Sequence, residues 1–173
     1  MPAVTLRTRR TMLRAAGLTR EDRLRSLVKE ADQSTDSVTQ VDVGDLTVRV
    51  GANQILHFHG WLICSAAATT TGIQLGINGP AGVVQVDGTI IGWTDVTTRA
   101  TDGVSAYETF QANLSSPGTT RRIFEIVGRI INGPTRGTVA LRVRSEVAGS
   151  AVTVHQGSWL EIFLETQRSQ KEA

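Results

Sequence analysis

The run Leu56-His57-Phe58-His59-Gly60-Trp61-Leu62-Ile63-Cys64 alternates with a period of two. Successive side chains of an extended chain point to opposite sides, so Leu56, Phe58, Leu62 and Cys64 share one face, and His57, His59, Trp61 and Ile63 share the other. A second face that carries Trp and Ile in place of Lys and Glu predicts a strand covered on both sides. A second sheet would cover one face and a neighbouring subunit or loop the other. Strand-like runs continue at Leu46 to Val50, Gly72 to Asn78, Val83 to Val86, Thr89 to Trp93, Arg121 to Ile131, Thr138 to Val147 and Val152 to Leu164, the last broken at Gln156-Gly157. Turn chemistry punctuates them at Asn78-Gly79-Pro80, Asp87-Gly88, Asp102-Gly103, Pro117-Gly118, Asn132-Gly133-Pro134 and Ala148-Gly149-Ser150. About ten short strands at this spacing predict an all-β antiparallel sandwich of the jelly-roll or immunoglobulin-like kind. The helical periods that a parallel α/β sheet needs are absent. Thr94 to Ser116 has weak periodicity and reads as a long exposed loop, with a strand conceivable at Tyr107 to Leu114.

The first thirty residues have a different texture. Eight Lys and Arg residues stand there against Glu21, Asp22 and Glu30, which leaves the remainder of the chain net acidic although the whole carries +2. Thr5 to Ala16 can form a short helix stopped by Gly17, and Thr19-x-x-Asp22 resembles a capping box. The predicted organisation is a basic, partly helical arm over residues 1–30, a sandwich over 31–166 and a polar tail over 167–173. Thr8-Arg9-Arg10-Thr11 imitates a twin-arginine export signal, but charges at Arg20, Glu21, Asp22 and Arg23 interrupt the apolar stretch that such a signal requires. Arg7, Arg9, Arg10 and Arg14 are the expected contacts of the arm with an acidic partner.

The chain has 173 residues, 40% of them hydrophobic and 20% charged, which fits one globular domain and neither a disordered chain nor a membrane span. One cysteine, Cys64, excludes an intramolecular disulfide, and its apolar strand predicts an inert buried thiol. His57 and His59 share a strand face and make at most half of a metal site, with His155 the remaining histidine. Asp95, Asp102 and Glu108 fall in the long loop without readable separation. Phosphate-binding glycine loops, serine-nucleophile elbows and zinc-protease helices do not occur. The expectation is a protein that is not an enzyme and needs neither cofactor nor metal. Arg142, Arg144 and Glu146 alternate with Val139, Leu141, Val143 and Val147, as a solvated face or a polar subunit contact would. Aromatic residues at 5% are too few to serve as stacking platforms, so nucleic acid is not an expected partner.

Several segments carry a family resemblance. They are Ala31-Asp32-Gln33-Ser34, Ala52-Asn53, the run from Ser65 to Pro80, Glu125-Ile126-Val127-Gly128 with Ile131-Asn132-Gly133, the run 137–154, and Gly157-Ser158-Trp159-Leu160. Together they resemble a family of tailed-bacteriophage virion proteins over residues 31–164, leaving the arm uncovered. The resemblance implies a trimeric jelly roll similar to the tumour-necrosis-factor and C1q type of domain, used to decorate capsids or as a knob on tail fibres. The partners it implies are two further copies of the chain and the major capsid protein, or in the tail alternative, tail proteins and a host surface receptor. His57, His59, Trp61, Arg142 and Arg144 are the expected trimer contacts. The chain shows neither heptads nor a repetitive shaft, which favours capsid decoration, and a virion location follows.

Overall fold

The computed structural model describes residues 23–94, 97–108 and 118–166. Eleven strands run through them: β1 Arg23–Val28, β2 Gln33–Thr35, β3 Val41–Val50, β4 Gln54–Ala66, β5 Ile73–Asn78, β6 Gln85–Trp93, β7 Arg99–Val104, β8 Arg122–Ile131, β9 Gly137–Ser145, β10 Val152–Val154 and β11 Trp159–Thr166. They form two antiparallel sheets. The larger has the order β1-β11-β4-β8-β6-β7, with β10 joining β4 to β2 beyond the end of β11, and the smaller has the order β3-β9-β5. The chain passes from the small sheet to the large one and back at β3-β4-β5-β6, and again at β8-β9-β10. This repeated exchange between sheets wraps the strands into a jelly-roll sandwich.

The inward faces are those the alternation predicts. Leu56, Phe58, Leu62 and Cys64 of β4 meet Leu46 and Val48 of β3, Ile73, Leu75 and Ile77 of β5, and Leu141 and Val143 of β9 across the interior. Phe124, Ile126 and Ile130 of β8 and Ile162 of β11 complete it, each almost wholly buried. Phe58 needs space that only glycine leaves: a Cβ on Gly128 would stand 2.6 Å from Phe58 Cζ and 2.7 Å from the Cα of Gly88.

Asp87-Gly88 and Asp102-Gly103 are not turns. Gly88 pairs with Gly128 and with Val104 inside the ladder, and Thr89 pairs with Gly103, so β6 is one strand where two are predicted. Gly88 and Gly128 serve close packing over Phe58 and leave the strands continuous. The predicted long loop begins instead with β7, and the Glu108 N–H then donates to the Ile77 carbonyl of the small sheet. Residues 109–117, the predicted arm helix, Arg7, Arg9, Arg10, Arg14 and the tail of 167–173 lie outside the described residues.

Residues 23–28, which the sequence places in the arm, belong to the sandwich: β1 pairs with β11 along its whole length, from Arg23↔Leu164 to Val28↔Trp159. The two arginines hide an edge strand, since charge is tolerated where one side of the ladder is open. At its end Lys29 is buried, and its Nζ meets Asp45 Oδ2 at 3.1 Å. Asp45 stands at a register shift in β3 with φ of 67°, and that irregularity turns its carboxylate toward the lysine.

Candidate functional site

Among the described residues, the outward face of the large sheet gathers several large exposed apolar side chains. Paired residues share a face, so three rows can be read across the strands. Val28, Trp159, Trp61, Glu125 and Ile91 form one, Ser26, Glu161, His59, Val127 and Thr89 the next, and Leu24, Phe163, His57, Arg129 and Asp87 the third. Trp61 is 43% exposed, Val28 52%, Ile123 48% and Val127 41%, which places large apolar groups in contact with solvent on one continuous surface. The Trp61 and Trp159 rings lie 5.4 Å apart, and His59 stands edge-on to both, at 6.3 and 5.5 Å.

His57 and His59 are partnered by carboxylates on this face. His59 Nε2 lies 3.1 Å from Glu125 Oε1, and His57 Nε2 lies 3.6 Å from Glu165 Oε2. Among the described residues no group of three or more His, Cys, Asp or Glu side chains is placed to hold a metal ion. Burial pushes the Cys64 thiol far above its ordinary range, so it stays protonated inside the sandwich.

The structure divides the predicted subunit contacts. His57, His59 and Trp61 share the outer face of the large sheet, whereas Arg142 and Arg144 point outward from β9 of the small sheet, on the opposite side of the sandwich. Alternation reveals which residues share a face of one strand and says nothing about which sheet the strand joins. Arg142 is held within its own chain. Its Nε donates to Asp42 Oδ1 at 2.7 Å, and its NH1 donates to Gln40 at 3.0 Å and to Glu108 Oε1 at 2.8 Å. The hydrogen bond to Asp42 raises the guanidinium pKa further above its ordinary value. Arg144 Nε donates to Gln74 Oε1 at 2.6 Å. Arg142 therefore ties the segment ending at Glu108 to the small sheet.

A second constellation escaped the sequence pattern because its members are scattered along the chain. His155 is buried just beyond β10. Its Nε2 lies 2.7 Å from Ser65 Oγ, at the outward face of β4, and its Nδ1 lies 2.9 Å from Asp32 Oδ2. Asp32 Oδ1 accepts the Gln156 N–H at 2.7 Å, and Arg121 NH2 lies 3.6 Å from Oδ2. The Gln156 N–H and then the bond from His155 hold the Asp32 carboxyl below its usual pKa. An ionised carboxylate only accepts, so in the neutral ring the proton sits on Nδ1, and Nε2 is left to accept from the Ser65 hydroxyl. No local motif announces this line: Ser65 and His155 are 90 residues apart, and Asp32 and His155 are 123 apart.

At one end of the same sheet Trp93 is flanked by two guanidiniums, Arg122 at 4.7 Å from its ring centroid and Arg99 at 5.5 Å.

No protein-family model matches the chain, and no curated protein matches it. Among solved structures it is similar to the VP2 subviral particle of infectious bursal disease virus, with 12% identity and a TM-score of 0.42 over 86% of this chain, which spans 38% of that one. It is also similar to Eiger TNF from S. frugiperda, with 13% identity and a TM-score of 0.43 over 89% of this chain and 100% of that one. The T13 particle of infectious bursal disease virus matches at 14% identity and a TM-score of 0.38, over 95% of this chain and 39% of that one. These likenesses are distant and carry no functional argument.

Proposed function

We propose that the chain is a structural virion protein of the tailed-bacteriophage type, a homotrimer that decorates the capsid and grips the major capsid protein through its basic arm. The observation that carries this reading is the exposed aromatic and aliphatic face of the large sheet, and the resemblance of residues 31–164 to virion proteins supports it. The face has two unlike halves: Trp61, Trp159 and Val28 over β4, β11 and β1, and Ile123, Val127 and Ile91 over β8 and β6. Unlike halves suit a heterologous contact, in which the aromatic half of one copy covers the aliphatic half of the next and rotation closes the ring. His59 with Glu125, and Arg129 with Asp87, supply polar contacts that fix the register. Arg142 and Arg144 stand on the small sheet, outside this proposed contact. The role requires no catalytic turnover, cofactor or metal.

Sedimentation equilibrium at micromolar concentration should return the mass of three chains, and electron microscopy of particles should place copies at lattice three-fold positions of the shell. A monomer, or copies confined to the tail, would overturn the decoration role. The Trp93 stack between Arg99 and Arg122 favours a second reading, a tail knob whose loop end meets a host surface receptor, and the same images separate the two.

A further inference from the structure

We propose that Ser65 is a nucleophile, activated by His155 and positioned through Asp32, that takes an acyl group from activated esters. This goes beyond the assembly role and does not depend on it. The three side chains are connected as a nucleophile, a base and an orienting carboxylate must be, atom by atom: hydroxyl to Nε2, and Nδ1 to carboxylate. The base is fixed. His155 is buried, its main-chain N–H donates to the Ile63 carbonyl, and its carboxylate is itself held by the Gln156 N–H. Ser65 is partly buried at the outward face of β4, not sealed in the core as its neighbours Cys64 and Ala66 are.

In the reaction Ser65 Oγ forms a bond to the acyl carbon as its proton passes to His155 Nε2. The bond to the leaving alcohol breaks, and that alcohol departs with the proton. The products are a Ser65 ester and a free alcohol. Backbone donors beside Ser65 are already engaged: the Ala66 N–H by the Gly118 carbonyl, the Ala67 N–H by the Ala151 carbonyl and the Ile63 N–H by Ser158 Oγ. A tetrahedral oxyanion receives no cradle from these groups, and one such donor is worth roughly 100- to 1000-fold in rate. The chemistry is thereby restricted to acyl donors with good leaving groups, and to accumulation of the ester in place of rapid turnover.

Ser34 supplies an internal reference. It is more exposed than Ser65, and its Oγ meets Thr153 Oγ1 at 2.7 Å in place of a base. The full chain is treated with p-nitrophenyl acetate, and acetylation is quantified by peptide mass spectrometry. Ser65 should be acetylated at least tenfold faster than Ser34. His155→Gln should lower the rate roughly 100-fold or more, because it removes the base in contact with Ser65 Oγ. Asp32→Asn should lower the Ser65 rate and leave Ser34 unchanged. A Ser65 to Ser34 ratio below ten in the unaltered protein overturns the proposal, and that measurement stands even if a variant fails to fold. Equal Ser65 rates in the parent and a folded His155→Gln variant overturn it as well.

Discussion

If the outward face of the large sheet joins the subunits, Trp61→Ala should weaken the trimer by an amount that the structure allows to be worked out. Trp61 is 43% exposed in the single chain. A tryptophan presents up to about 250 Å², so roughly 100 Å² of it waits to be covered. At about 25 cal/mol per Å² this is about 2.5 kcal/mol per subunit, or about 7.5 kcal/mol for three copies. Each 1.4 kcal/mol is a factor of ten, so the trimer association constant would fall by up to about 10⁵. The concentration of half-assembly varies as the inverse square root of that constant and would rise by up to about 300-fold. Side-chain ordering offsets part of the gain, which leaves an expected rise of roughly ten- to three-hundredfold. Sedimentation equilibrium over a dilution series reads the midpoint directly, with circular dichroism to show that the monomer stays folded. Trp61→Glu should move it further, since an unpaired buried charge costs several kcal/mol. A midpoint displaced less than threefold by Trp61→Ala would refute this assignment of the face.

Gly128→Ala should lower stability by about 1–3 kcal/mol, as overpacking does, because its Cβ would meet Phe58 Cζ at 2.6 Å; urea unfolding at neutral pH measures it. Asp32, Asp45 and Asp87 all have carboxyl pKa values lowered from 3.8, chiefly by hydrogen bonds from the Gln156 N–H, Lys29 and Arg129 respectively. A depressed folded value means that their contribution is complete above about pH 4 and lost as pH falls through the folded values, so urea midpoints should drop below pH 4, and less steeply in Asp45→Asn. A chelator should leave the melting temperature unchanged if no metal supports the fold. Deleting residues 1–22 should keep the body folded and trimeric, because it leaves β1, Arg23–Val28, and its pairing with β11 in place, while loosening attachment to shells in a particle pull-down. Added salt should loosen attachment of the full chain too, because the arm's contacts would be screened charge pairs.

The central strands were legible because burial on one face imposes a period of two, which in β4 continues without fault from Leu56 to Cys64. The edges were not. β7, Arg99–Val104, buries little besides Val104, and β1 alternates with arginines, so neither carries the pattern that marks a covered strand. Glycine misled for a related reason. Asp87-Gly88 has the composition of a turn, yet Gly88 lies mid-strand because Phe58 and Gly128 crowd it, a demand made by residues thirty to forty positions away.

The same limit separates the two candidate sites. The Trp61 face lies on a strand where Trp61 and Ile63 take positions on the outward face, and that anomaly is local, so its membership was partly readable: His57, His59 and Trp61 do stand together. Arg142 and Arg144 were offered as subunit contacts because they alternate with apolar residues along one strand, and alternation could not tell that this strand lies in the other sheet from Trp61. Ser65, His155 and Asp32 come from β4, from the turn after β10 and from the segment before β2. They meet because β10 pairs simultaneously with β4 and β2. Thr153↔Ser65 and Thr153↔Ser34 set the register that carries His155, two residues on, to the hydroxyl and the carboxylate. A one-residue slip of β10 would turn His155 to the other face and separate all three groups. The Ser65 hydrogen bond therefore reports on that register as much as on the side chains, and restoring His155 alone cannot restore the reactivity of Ser65 in a variant whose β10 pairing has been lost.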